Sequence, residues 1–386
     1  MINSKCMDAD SLETYDPYDI WKTSLGFQIK NLFNKNRYVG GVLAVSATLF
    51  DMLNQRRRLF YEKQEYPVVR AFAALISLNE YKNSQEAVCL NVAKQHIDWL
   101  VENRTEGYKN YCWGINIKLP VAKDLIYPKN TPFSTNTPYV LEALIAYYKI
   151  SNDKAILKVI LSVYAFLEDD IKIMLETESE LATSYGPFKD RIIVNAVSYS
   201  MYSYALLLDF LPEQSSYIKN KIQKMYNFIK NNQNKDGSWF YAPLDNRSFI
   251  DCFHSCFILK NLIKTMVYVP LNNGDEVVAN GYAYVKSAFF DSETDLCRRF
   301  SMSNKPSIIK WDLYDNAEMI NLALLLKDYK FATIINKSVK RHFIKGEEIY
   351  SQINYLGKRI NRNTLRWAVM PYLYAESKLS HYVKQN

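Results

Sequence analysis

Asp251 and His254 stand three residues apart in a chain with only 4 histidines. On a helix that spacing puts both side chains on one face. A carboxylate there orients the imidazole and raises its proton affinity, as in many acid/base pairs. The bland description of the same residues is a capping aspartate and a hydrogen-bonded core histidine. Asp312 and Asp315 repeat the spacing farther along. Facing Asp251 across a cleft, Asp312 would be the second carboxylate of a glycosidase pair, and Asp315 would bind sugar hydroxyls. As helix caps they would do neither.

Arg362, Arg366 and the adjacent Trp367 suit a substrate carboxylate or phosphate. Pairing with Asp312 or Asp315 inside the protein is the structural alternative. Tyr185 and Tyr314 can move protons beside His254. Trp113, Trp239 and Trp311 offer flat faces to pyranose rings, and Asn136 and Asn195 offer amides to hydroxyls; aromatic residues equally fill cores. Cys252, His254 and Cys256 invite a metal reading, but helical residues two apart point about 200° away from each other. No metal and no cofactor are expected.

These residues need a scaffold that gathers them from distant positions, and the chain has a repeat that does so. Each unit starts at a polar or proline-marked position, runs into a helix apolar nearly all round, breaks, and continues as an amphipathic helix. Pro67 to Arg70 opens one unit, with its second helix near Ser84 to Asn103. Thr137-Pro138-Tyr139 opens the next, followed by a helix near Asp153 to Glu178. Asn195 opens a third, with an outer helix over about Ser216 to Asn231; Asp251 and Asp312 open a fourth and fifth. Arg366-Trp367 falls on a last inner helix that ends the chain. The starts recur at about 55 to 70 residues, the length of a helical hairpin.

A helix apolar on all sides is buried, and one alternating at helical period sits outside it. The pattern therefore predicts an all-α fold, an α/α toroid in which about six hairpins form a double ring. Residues 1–386 form one domain, with 1–37 as an N-terminal extension on the ring. All inner helices start at the same end, so these candidate residues converge at one mouth.

Composition agrees. The chain is 48% hydrophobic, with 30 Tyr and 19 Phe but only 11 Gly and 12 Pro, which suits long helices and short loops. A net charge of +8 favours anionic partners through steering. Arg56 to Arg58 is the only dense basic run, too little for a nucleic-acid stripe. The six cysteines at 6, 89, 112, 252, 256 and 297 are scattered, which reads as reduced thiols. The acidic, polar start of the chain is unlike a signal peptide, and Val39 to Phe50 is too short to span a bilayer. These features predict a cytoplasmic protein with no membrane span.

Gln233-Asn-Lys-Asp236-Gly237-Ser238-Trp239 makes a tight turn that braces one hairpin on the next. It resembles a motif of terpene cyclases and prenyltransferase-type toroids. The longer run Asn232 to Tyr241, followed by Phe249 to His254, is similar to a family of bacterial exopolysaccharide and capsule biosynthesis proteins with the toroid fold. Tyr15 to Asp19, Ser184 to Pro187 leading to Asn195-Ala196, and Leu365-Arg366-Trp367 carry the same resemblance. It implies a role in making or trimming surface polysaccharide. Where that family carries Asp-x-His, this chain has Asp312-Leu313-Tyr314, so chemistry at that position would rest on Tyr314.

The expected function is thus a carbohydrate-active enzyme on a neutral or acidic oligosaccharide or polysaccharide: a hydrolase using Asp251 and Asp312, or a lyase or epimerase using His254, a tyrosine and an arginine. A glycan- or partner-binding protein without activity is the first alternative, favoured if the carboxylates are consumed by arginines. A cyclase acting on an isoprenoid lipid is the second, although no Asp-Asp-x-x-Asp cluster is present.

Overall fold

Proline and aspartate mark most of the inner-helix starts in the computed structural model, which describes residues 10–122, 125–245, 248–303 and 307–385. Three helices come first: α1 (Asp19–Lys22), α2 (Ser24–Lys35) and α3 (Arg37–Asn54). Five hairpins follow: α4 (Pro67–Ser84) with α5 (Ala87–Glu102), α6 (Thr137–Ser151) with α7 (Lys154–Asp169), and α8 (Val194–Leu207) with α9 (Ser215–Asn231). Then come α10 (Cys252–Met266) with α11 (Gly274–Phe289), α12 (Leu313–Leu325) with α13 (Tyr329–Phe343), and the closing α14 (Met370–Gln385). Pro67 and Pro138 occupy first-turn positions of α4 and α6, where the missing N–H costs nothing. Asp251 and Asp312 cap α10 and α12 with their side chains.

The even-numbered helices from α4 to α14 pack in order, and α14 returns to α4, so the inner ring closes. Every residue of α8 is buried, as its all-round apolar sequence requires. The Lys-rich α9 buries a single stripe that includes Ile218, Ile222, Met225 and Ile229. The architecture is the α/α toroid read from the repeat, with six inner and five outer helices among the described residues. α1 to α3 lie at the mouth and do not supply a sixth outer helix.

Two segments depart from the sequence reading. The helix expected to run to Glu178 ends at Asp169, and 173–176 pairs antiparallel with 181–183. Glu168, Asp169 and Asp170 place three carboxylates at the negative end of the helix dipole, where they oppose its extension. Arg366 and Trp367 do not lie on a regular helix: Leu365–Val369 forms a wide turn before α14, with Ala368 at φ 100°. The Trp367 carbonyl leaves the helical ladder to accept from Ser351 Oγ (2.6 Å) and Thr364 Oγ1 (3.1 Å).

Short strands gather at the mouth. Residues 250–251 pair with 300–302, setting Asp251 opposite Phe300. Residues 309–312 pair with 348–354, which pair in turn with 359–362, and the register sets Asp312 opposite Gln352. Cys112, Cys252, Cys256 and Cys297 are buried free thiols. Cys89 is disulfide-bonded, so the expectation of reduced thiols throughout is corrected, and the cysteines no longer argue for a reducing compartment. Cys6, and the rest of the start of the chain through residue 9, lie outside the described residues.

Candidate functional site

The strands and inner-helix starts enclose a cavity of about 500 Å³, lined among others by Tyr18, Tyr185, Asp251, His254, Arg299, Arg366 and Trp367. The capping geometry of α10 builds its centre. Asp251 is extended backbone before the helix, and its Oδ1 accepts from the His254 N–H at 3.3 Å. The same carboxylate stands 2.8 Å from His254 Nδ1. A carboxylate only accepts, so Nδ1 carries a proton, and in the neutral imidazole Nε2 keeps its lone pair. His254 is 20% exposed at the side chain, whereas Asp251 is buried. The imidazole is held between rings, 4.0 Å from Phe253 and 4.5 Å from Tyr241 by centroids. Capping residue and acid/base pair are therefore one object: the aspartate does both.

Asp312 is spent elsewhere. It is 0% exposed. One oxygen accepts from the Tyr314 N–H at 2.9 Å. The other accepts from Arg299 Nη1 and Gln352 Nε2, each at 2.8 Å, and the Trp367 indole N–H reaches both oxygens at 3.1–3.2 Å. With no free lone pair aimed at the cavity it is a structural carboxylate, correcting its assignment as a catalytic acid. Asp315 lies behind it, buried, accepting from the Phe253 N–H at 3.2 Å. Burial first, then the neighbouring Asp312 and Asp251, push its carboxyl well above the ordinary value against the pull of Arg299. Neither it nor Tyr314 reaches the cavity wall. The Tyr314 ring is packed on Trp367 (4.6 Å) and Phe253 (5.3 Å), and burial followed by Glu318 raises its hydroxyl far above the usual range.

Of the arginines, Arg366 lines the cavity and pairs with the buried Asp16 of the N-terminal segment. Arg362 does not; it is 56% exposed on the 359–362 strand and pairs with Glu348. Trp113 and Trp239 are buried braces, not sugar platforms. Each donates its indole N–H to a carbonyl of the preceding outer helix, Leu100 (2.7 Å) and Ile229 (2.8 Å). Trp311 is buried against the sheet, and Asn136 and Asn195 also lie off the cavity wall; Asn136 Nδ2 and Asn195 Oδ1 are buried without hydrogen-bond partners. The cavity thus brings together Tyr185, Asp251, His254, Arg366 and Trp367, and leaves out the other nine sequence candidates.

Sequence reasoning missed Arg299, Asp51 and Tyr241. The Arg299 guanidinium sits 5.1–5.6 Å from the centroids of Phe253, Phe300 and Trp367. Its place is set by strand pairing, since its carbonyl accepts from Cys252 N–H at 2.9 Å. Asp51 comes from α3, lines the cavity, and accepts from Tyr61 Oη at 2.8 Å. Burial raises its carboxyl above the ordinary value, against that hydrogen bond and the charge of Arg58. Nothing in the local sequence of α3 points at a site; only Tyr241, inside the motif ending at His254, had a sequence signal.

No family model and no curated protein matches this sequence. Solved structures do match the fold. The chain is similar to a cellobiose 2-epimerase from Bacillus thermoamylovorans, at 12% identity and a TM-score of 0.63 over 83% of this chain and 88% of that one. It is similar to a GH76 α-mannanase from Bacteroides thetaiotaomicron, at 11% identity and 0.59 over 83% and 88%. A polysaccharide lyase matches at 10% identity and 0.55 over 94% of this chain and 99% of that one. At such identities the likeness is one of fold, and it agrees with the α/α toroid traced from the helices.

Proposed function

We propose that this chain is a carbohydrate-active enzyme that moves a proton on a sugar, as an epimerase, isomerase or lyase does, with His254 as the base. The observation that carries the proposal is the Asp251–His254 pair at 2.8 Å, both residues lining one polar and aromatic cavity. Neutral His254 takes a proton through Nε2, and Asp251 stabilises the imidazolium that forms. Arg299 and Arg366 stand in the same wall, both fixed by buried carboxylates, where they offset negative charge that develops as the proton leaves. Tyr185, stacked on Phe133 at 4.5 Å, contributes a hydroxyl to the wall. The fold neighbours include a sugar epimerase, a glycan hydrolase and a polysaccharide lyase, which supports a saccharide substrate. The resemblance to exopolysaccharide biosynthesis proteins supports a place in making or trimming surface polysaccharide.

Hydrolysis is the second reading, and it rests on Asp51. With Asp312 consumed, Asp51 and Asp251 are the carboxylates among the described residues that line the cavity, and burial favours the protonated form of Asp51 that a general acid needs. The test is turnover of neutral and uronic-acid oligosaccharides by wild type, Asp251→Asn, His254→Ala and Asp51→Asn. Loss in the first two variants with Asp51→Asn active supports proton transfer; loss in Asp51→Asn with release of new reducing ends supports hydrolysis. Turnover unaffected by any of the three would refute both, and glycan binding without turnover would mark a binding protein.

A further inference from the structure

We propose that α3 is a membrane-surface helix that seats the mouth of the cavity on an anionic lipid bilayer. The outer face of this helix is apolar and uncovered. Tyr38, Val42, Val45, Leu49 and Leu53 follow one another at intervals of three and four residues, which sets them in a single stripe. All five are exposed, from 56% at Leu49 to 91% at Tyr38. The opposite face is occupied: Gly40 comes so close to α2 that a Cβ there would lie 2.3 Å from the Phe33 backbone, and Ala47 packs with Ile20 and Tyr61. Phe60 holds a left-handed φ of 67° and is 82% exposed, a strained conformation for a bulky residue that turns its ring outward. Singly exposed apolar residues need no explanation, but a continuous stripe marks a surface that meets something.

The charges select the occupant. Lys35 and Arg37 are exposed at one end of α3, and Arg56 and Arg57 at the other. A second copy of the chain laid along the stripe, in either direction, would bring cations against cations, which opposes self-pairing. An anionic bilayer surface meets both ends favourably, while the stripe enters the headgroup boundary. Among the described residues no helix is long and apolar enough to cross a membrane, so the association is peripheral. Thr48, Asp51 and Met52, on the inner side of the same helix, line the cavity, which ties the seated surface to the mouth.

The test is flotation of the full chain with phosphatidylcholine vesicles, with and without phosphatidylglycerol, at low and high salt. Wild type is expected to float with the anionic vesicles and to be released by salt. Val42→Glu/Leu49→Glu and Arg56→Glu/Arg57→Glu alter exposed side chains off the cavity wall. Each is expected to keep the wild-type circular dichroism spectrum and to partition about ten-fold or more weakly. Failure of wild type to float, or equal flotation of both variants, overturns the proposal. So does a concentration-dependent dimer in sedimentation that Val42→Glu/Leu49→Glu dissolves, which would assign the stripe to a second copy. None of these outcomes depends on what the cavity catalyses.

Discussion

Arg299 Nη1 stands 2.8 Å from Asp312 Oδ2, and this contact decides what the site can do. It commits the carboxylate that sequence spacing offered as a catalytic partner of Asp251 to holding a guanidinium, the kind of arginine pairing that favours a binding protein over a carboxylate-pair hydrolase, so the proposed chemistry rests on His254. Gln352 and the Trp367 indole fill the remaining positions around that carboxylate. The result is a cavity lined both by two arginines and by an Asp–His pair.

Removing Asp312 should therefore unfold the protein before it tests any chemistry. Asp312→Ala leaves Arg299 buried without its partner and α12 without its cap. The expected loss is about 3–5 kcal/mol in urea unfolding. Asp312→Asn keeps acceptors for Trp367 and for the cap, and should lose less. A variant of either kind that unfolds at the wild-type midpoint would mean that Asp312 is not structural.

His254→Ala is the opposite case. The side chain is partly exposed and its loss leaves the fold intact, so the thermal midpoint should move little while kcat falls by about 10²–10⁴-fold. Asp251→Asn should also lower kcat, because a neutral amide retains the cap but no longer stabilises the imidazolium. Retained activity in both variants would remove the pair from the mechanism.

The ion pair between Asp16 and Arg366 predicts an acid-side dependence of stability. Burial alone would raise the Asp16 carboxyl, but Arg366 and then Lys22 hold it below its ordinary value of 3.8. A carboxylate depressed in the folded state contributes stability above its unfolded pKa and loses it as pH falls through the folded value. The deficit of Asp16→Asn relative to wild type should be constant from neutral pH down to about 4 and shrink below that. Denaturant midpoints across that range check it; a deficit that persists unchanged in stronger acid would contradict it.

The Gln233-to-Trp239 motif should matter to folding and not to turnover. Gly237 sits at φ 91° against α11, and a Cβ on Gly281 would lie 2.6 Å from Leu259 and 2.8 Å from Trp239. Gly281→Ala should cost about 1–3 kcal/mol through overpacking, with kcat of the folded fraction unchanged. A loss of kcat without loss of stability would show that the brace reaches the site.

The ring was legible because its signal is periodic and local. The run from Val194 to Leu208 reads as buried and α9 as amphipathic; the structure buries Val194 through Leu207, leaves Leu208 half-buried, and gives α9 one buried stripe. The Asp251–His254 pair was legible for the same reason, since a three-residue spacing on a helix needs no tertiary knowledge. What spacing could not reveal is which partner claims a side chain. Asp312 has the same spacing to Asp315 as Asp251 has to His254, yet strand pairing brings Arg299 and Gln352 onto it. Asp51 and Asp16 reach the mouth from a segment outside the repeat, where no period points. The brace at Trp239 was legible from its Asp-Gly turn, whereas Trp113 looks like a sugar platform by composition, and only its indole hydrogen bond to Leu100 shows that it braces the outer ring.

The most direct measurement is proton exchange with solvent. Wild type and His254→Ala are incubated in D₂O with the oligosaccharide that is turned over, and the sugar carbons are followed by NMR. Proton transfer through His254 predicts deuterium at a sugar carbon for an epimerase or isomerase, or an unsaturated sugar product for a lyase, in the wild-type reaction and neither with His254→Ala. New reducing ends without carbon-bound deuterium, at a rate that His254→Ala retains, would contradict it and pass the chemistry to Asp51.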